Sequence, residues 1–160
     1  MPPSPLHCCL FVLAIASAGE CAAAHVGELV VKEGNGGVPC FTIPEAEEAR
    51  GGTPDFHAIT VTEVGAKGAL WKMTMPAQRT FPVTFRMCIP YAGRVPVLPQ
   101  TPAAALQPRR VYEVAIDARA RRTGAPRNYR ARFCLYRQEN GAMRVRNIVP
   151  ANPRQRPSCD

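Results

Sequence analysis

Serine is nearly missing from this chain. Beyond residue 24 only Ser158 remains, in a proline-rich tail. A Ser-His-Asp hydrolase needs its nucleophile on a rigid element beside a base, which argues against that class. Histidine is almost as scarce, with only His25 and His57 past residue 24. There is no H-x-x-x-H, no C-x-x-C and no glycine loop of the kind that cradles phosphates. These absences leave no expected catalytic residue, no metal site and no cofactor. No apolar run reaches the roughly 18 residues that a membrane-spanning helix needs. Lysine is sparse as well, three against seventeen arginines.

What is present begins with an export signal. Residues 8–18 (CCLFVLAIASA) form an apolar run of signal length, and Ala22-Ala23-Ala24 supplies an A-x-A cleavage site before His25. Residues 1–24 are therefore read as a signal peptide and the mature protein as periplasmic or secreted. A lipid anchor at Cys21 is the alternative, although Glu20 stands where a lipobox carries a small residue. Removing 24 of 160 residues leaves 136, one domain's worth. Residues 25–149 form that domain, and 150–160 form a Pro-rich tail.

Four cysteines remain in the mature chain: Cys40, Cys88, Cys134 and Cys159. An even number in an oxidising compartment points to two bridges. Cys40, Cys88 and Cys134 each precede a core-facing apolar residue, so their thiols turn away from the core. Four cysteines allow three connectivities; Cys40–Cys88 is the favoured pair, both lying on strands with thiols turned from the core, which leaves Cys134–Cys159 to pin the tail.

The mature chain reads as strands. Period-two alternation runs through 56–64, 80–90, 110–118 and 129–136, with weaker candidates at 27–32, 38–43, 70–75 and 143–149. In the first, His57, Ile59 and Val61 share the apolar side. In the second, Phe81, Val83, Phe85, Met87 and Ile89 do. In the third and fourth, Tyr112, Val114 and Ile116, then Tyr129, Phe133 and Leu135, face inward. Phe85, Ile116 and Phe133 are expected on central strands. Glycine-rich turns separate the runs, and Asn140-Gly141 is a hairpin signal. The stretch 96–108 reads as a crossover within the domain. Only 44–50 looks helical, about one turn. The expected fold is all-β: a single-domain antiparallel β-sandwich, immunoglobulin-like, of about seven or eight strands.

Carboxylate pairs that could serve a glycosidase are poor candidates. Glu45, Glu47 and Glu48 lie on one short segment and read as a solvated turn. Glu113 and Asp117 would lie on the order of 13 Å apart along one strand, too far for a shared site.

Charge is lopsided. Residues 25–108 carry seven basic and seven acidic side chains, whereas 109–156 carry thirteen arginines against Glu113, Asp117 and Glu139, a net of 13 − 3 = +10. Such a segment attracts anionic partners. The abundance of Arg, Ala, Pro and Gly is also what a GC-rich genome produces, leaving a merely solvated face as the plain alternative. The candidate partner-binding residues are Arg119, Arg121, Arg122, Arg130 and Arg132, interleaved with Tyr129 and Tyr136. The export signal argues against nucleic acid. An acidic protein, such as a toxin or effector, or an anionic envelope polymer fits better.

Two stretches carry a family resemblance: Val38-Pro39-Cys40-Phe41-Thr42-Ile43-Pro44 after a glycine-rich turn, and Arg86-Met87-Cys88-Ile89-Pro90-Tyr91. Tyr112-Glu113-Val114 and Phe133-Cys134-Leu135 follow downstream. This order resembles small periplasmic lipoproteins proposed as type VI secretion immunity proteins. The resemblance implies a compact β-domain that binds and blocks an antibacterial effector. The expectation is an exported, non-catalytic binding protein. The alternatives are a basic module for an envelope polyanion and an unrecognised hydrolase.

Overall fold

A computed structural model describes residues 25–149 and 156–159. The expected signal, the Cys21 anchor and most of the tail lie outside these residues. The elements run β1 (Val26–Glu28), β2 (Val30–Glu33), β3 (Pro39–Thr42), α1 (Glu45–Gly51), β4 (Asp55–Glu63), β5 (Ala69–Thr74), β6 (Phe81–Pro82), β7 (Ile89–Pro90), β8 (Val111–Arg119), β9 (Asn128–Arg137) and β10 (Met143–Ile148). A seven-stranded sheet has the path β1-β9-β8-β4-β5, with β10 also on β9 and β6 also on β4. A three-stranded sheet has the order β2-β3-β7. The all-β reading and both disulfides, Cys40–Cys88 and Cys134–Cys159, hold.

The core lies between the sheets. Phe41 of the small sheet enters between Trp71 and Phe133 of the large one, with ring centroids at 6.4 and 5.8 Å. Tyr112 packs on Phe133 at 5.5 Å, and Tyr91 meets Trp71 edge-on at 5.4 Å. Ile116 and Phe133 are fully buried, as the alternation of β8 and β9 requires. Two side chains, Asn147 of β10 and Glu33 of β2, join the small sheet's edge to β10. Asn147 donates to the Val31 carbonyl and accepts from the Val31 N–H, standing in for a strand partner of β2. The Glu33 carboxylate accepts from the Val145 N–H and from Arg144.

Five sequence expectations are corrected. First, the described residues form ten strands in place of about seven or eight, and β1 runs parallel to β9. β1 and β10 meet β9 along the same edge, over 128–130 and 132–137, from opposite directions. Second, 80–90 is not a strand. Only its ends pair, as β6 and β7. Pro82 and Pro90 cannot donate to a ladder. Side chains hold the middle instead: Glu48 accepts the Phe85 N–H, and the Thr42 hydroxyl donates to the carbonyls of Thr84 and Phe85.

Third, Phe85 is accordingly half-buried beneath the Arg86 guanidinium rather than central. Fourth, His57 does not share the core side. Ladder partners jump from Phe56↔Ala118 to Ala58↔Asp117, so His57 is the extra residue of a bulge. Phe56 takes the core place beside Ile59 and Val61.

Fifth, 45–48 is not a solvated turn. Glu47 is 2% exposed, and its Oε2 accepts from the Glu28 N–H and from Arg50. Its Oε1 is buried with no hydrogen-bond partner among the described residues. The helix is seven residues long, and its acidic first turn ties β1 and the 83–88 segment to the body.

The crossover at 96–108 lies along the free edge of β5. Thr74 and Ala104 donate backbone N–H groups to Pro99 and Leu70, and Thr101 donates to Lys72. This covers an edge that would otherwise be open to pairing with another chain.

A Cβ on Gly27 would stand 2.3 and 2.4 Å from ring atoms of buried Tyr129. Gly27→Ala is expected to lower unfolding free energy by about 1–3 kcal/mol, as overpacking does, measured by urea denaturation. The phenols of Tyr91 and Tyr129 are pushed up to about 12, first by burial. A raised folded-state value favours the protonated form in the folded chain. The stability it gives is full below the unfolded value near 10 and is lost as pH rises towards 12. Circular dichroism at increasing pH should show tertiary signal held to about pH 10 and lost above it.

Candidate functional site

The large sheet has one face on the core and one turned outward. Alternation along β9 sends Tyr129, Phe133 and Leu135 inward, so Arg130, Arg132, Cys134 and Tyr136 point outward. Antiparallel pairing sets Arg144 opposite Tyr136, Arg146 opposite Cys134 and Ile148 opposite Arg132. One basic, partly aromatic face results, carrying Arg130, Arg132, Arg144 and Arg146. The Arg146 guanidinium lies 5.4 Å from the Tyr136 ring centre, and its Nη1 donates to the Cys159 carbonyl. The Cys134–Cys159 bridge therefore brings the chain's end onto this face.

Glu113 of β8 sits directly across from Arg132 in the ladder. It accepts from Arg132 Nε at 2.9 Å and from Arg130 Nη1 at 3.3 Å. One carboxylate thus serves two guanidiniums. Beside it, where the ends of β1 and β10 converge on Ala131, a groove of about 750 Å³ opens. Glu113, Arg130, Arg132 and Glu28 give it polar walls, and Leu29 and Ile148 give it apolar ones. Val149 at its rim is 82% exposed.

The sequence-predicted arginines divide into two groups. Arg130 and Arg132 come together around Glu113. Arg119, Arg121 and Arg122 lie at the β8–β9 turn and belong to a different neighbourhood. Arg121 grips Asp55 with Nε and Nη2 at 2.8 and 2.7 Å, and Arg119 donates to the Ala77 carbonyl. These two pin the turn to β4 and to the segment before β6. Arg122 is exposed and makes no ion pair among the described residues. Arg121 holds the Asp55 carboxyl below its ordinary range, and Arg144 does the same to Glu33, each chiefly through its hydrogen bond.

Arg144, Arg146 and the pairing role of Glu113 were missed from sequence. Their signal was present: the alternation Arg144-x-Arg146 after an Asn-Gly hairpin mirrors Arg130-x-Arg132, and hairpin pairing puts the two on one face. Glu28 and Asn147 carried no comparable signal. Among the described residues no group of three or more His, Cys, Asp or Glu is placed to hold a metal ion, and no helix is long and apolar enough to cross a membrane. No protein-family model, curated protein or solved structure matches this chain.

Proposed function

We propose that this chain is an exported binding protein that performs no chemistry and docks an acidic protein on the outward face of its large sheet. Its sharpest form is an immunity protein that blocks an antibacterial effector in the periplasm. The single observation that supports it is the four-arginine face around Glu113 and Tyr136, beside a groove with apolar walls. Arginine and tyrosine are the side chains that anchor protein interfaces, and apolar contact inside a polar rim is how such interfaces are built. The two disulfides fit an oxidising, extracytoplasmic compartment.

Ion pairing favours a protein over a polyanion. Glu113 and Glu33 interrupt the positive charge, giving a mosaic that a partner of matching pattern can read. A polyanion would be held by uniform charge, with affinity falling steeply as salt rises.

The test is affinity capture with the mature, disulfide-bonded protein from its own organism's lysate and secretome. Wild type is compared with Arg130→Gln/Arg132→Gln/Arg146→Gln. The reading expects an acidic protein held by wild type and lost by the variant. Capture of nucleic acid or envelope polymer alone, abolished by moderate salt, would replace it with the polyanion reading.

A further inference from the structure

We propose a second, separate binding site, for a phosphate-type oxyanion, in the cleft between the end of α1 and the β8–β9 turn. The cleft holds about 320 Å³, suited to a small anion and too small for a folded partner. Its lining brings together Arg50, Arg122 and His25 with Thr123, over a floor of Gly51 and Pro126. It lies apart from the groove at Glu113, sharing no lining residue with it. The proposal therefore does not depend on how the outward face is used.

The cleft is held in shape by its surroundings. The turn is fixed by the Arg121–Asp55 fork, by the Arg119 bond to Ala77, and by the Ala118 N–H on the Arg127 carbonyl. Pro126 is buried and wedged between α1 and β1: its atoms lie 3.4 and 3.1 Å from where Cβ atoms on Gly51 and Gly27 would stand. Arg122 lies across Gly52, with Nε 3.5 Å from that residue's Cβ position. Gly52 has φ +77°, a conformation that favours glycine, so bare backbone gives the guanidinium its bed.

The charge balance of the cleft is positive. Arg50 already serves Glu47 Oε2, which also accepts the Glu28 N–H. Arg122 brings a positive charge that no carboxylate meets among the described residues. The backbone N–H groups of Thr123 and Gly124 likewise reach no backbone acceptor among them, and Gly124 has φ +81°. Turn amides beside arginine form the usual cradle for tetrahedral oxyanions, because planar guanidinium matches two oxygens at once. The ligand class is therefore phosphate or a phosphomonoester, either free or borne on a lipid headgroup.

The test is an amide NMR titration of the mature, disulfide-bonded protein with inorganic phosphate at constant ionic strength, with chloride as control. The expected result is saturable shifts centred on Gly51, Thr123 and Gly124. Arg122→Ala should weaken binding about tenfold or more and Arg122→Lys by less, since the lysine retains the charge and loses the fork. Arg130→Gln/Arg132→Gln should leave phosphate binding unchanged. Vesicles of phosphatidylcholine with added phosphatidic acid then separate the sources. Arg122-dependent vesicle binding assigns the anion to a headgroup; phosphate binding without it assigns a soluble ligand. Shifts that chloride reproduces, shifts that never saturate, or affinity unchanged in a folded Arg122→Ala protein would overturn the site.

Discussion

Replacing Phe133 with alanine should cost about 3–5 kcal/mol of unfolding free energy, the range for deleting a buried aromatic ring. Phe133 is fully buried at the middle of β9. Its ring meets Phe41 at 5.8 Å and Tyr112 at 5.5 Å, so it joins the small sheet to the large one. Truncation removes apolar burial, two aromatic contacts and the filling between layers, and strands cannot close a gap that their own ladders hold open. The neighbouring change, Arg132→Ala, should cost less than about 1 kcal/mol, because it removes one part-exposed ion pair. Chemical denaturation of the two variants checks both at once. Equal losses, or the reverse order, would put the register of β9 off by one residue.

Removing the Cys40–Cys88 bridge should have an effect of similar size, with a different distribution. Its partners are 48 residues apart in sequence, and the chain-entropy estimate for closing a loop of that length is about 4 kcal/mol. The bridge joins β3 to the stretch that sequence alternation mistook for a strand. With so little ladder there, the bridge, Glu48 and Thr42 hold that stretch in place. Cys40→Ala/Cys88→Ala should therefore unfold at lower denaturant. Its hydrogen exchange should rise first at Val83, Phe85 and Met87. Cys134→Ala/Cys159→Ala, spanning 25 residues, should cost about 3.5 kcal/mol by the same estimate and leave those amides protected. Exchange that rises evenly over the whole large sheet in the first variant would show that the bridge acts on the entire fold instead.

The long central strands were legible because their signal is local. In β8 and β9 most inward side chains are large and apolar (Tyr112, Val114, Ile116, Tyr129, Phe133, Leu135) and the charged ones point outward, so period two sets their register. Alternation turned three thiols from the core and so suggested bridges, but it left three connectivities open; the fold selects Cys40–Cys88 and Cys134–Cys159. The stretch 80–90 alternated just as well, but alternation describes side chains and says nothing of backbone donors. Pro82 and Pro90 removed two, and Glu48 and Thr42 took over the bonding. His57 was misplaced because a bulge inserts one residue without leaving a mark in composition. Glu47 was misread because burial of a carboxylate depends on donors brought from β1, nineteen residues away in sequence.

The site was legible in part. An arginine-rich segment showed in composition, but which arginines act together depends on pairing. Arg121 looked equivalent to Arg132 in sequence, yet Asp55 makes it a pin for the turn. Arg144 and Arg146 came onto the face only once β10 folded back on β9.

The most direct test of the account is the association kinetics of the captured partner with wild type and with Arg130→Gln/Arg132→Gln/Arg146→Gln, across a salt series. The variant should melt within a few degrees of wild type. Its association should slow by about tenfold at low salt, and its salt dependence should be flatter, because the charges that steer encounter are gone. Association at the wild-type rate, with the wild-type salt slope, in a folded variant would contradict it and leave the arginine face as solvated surface.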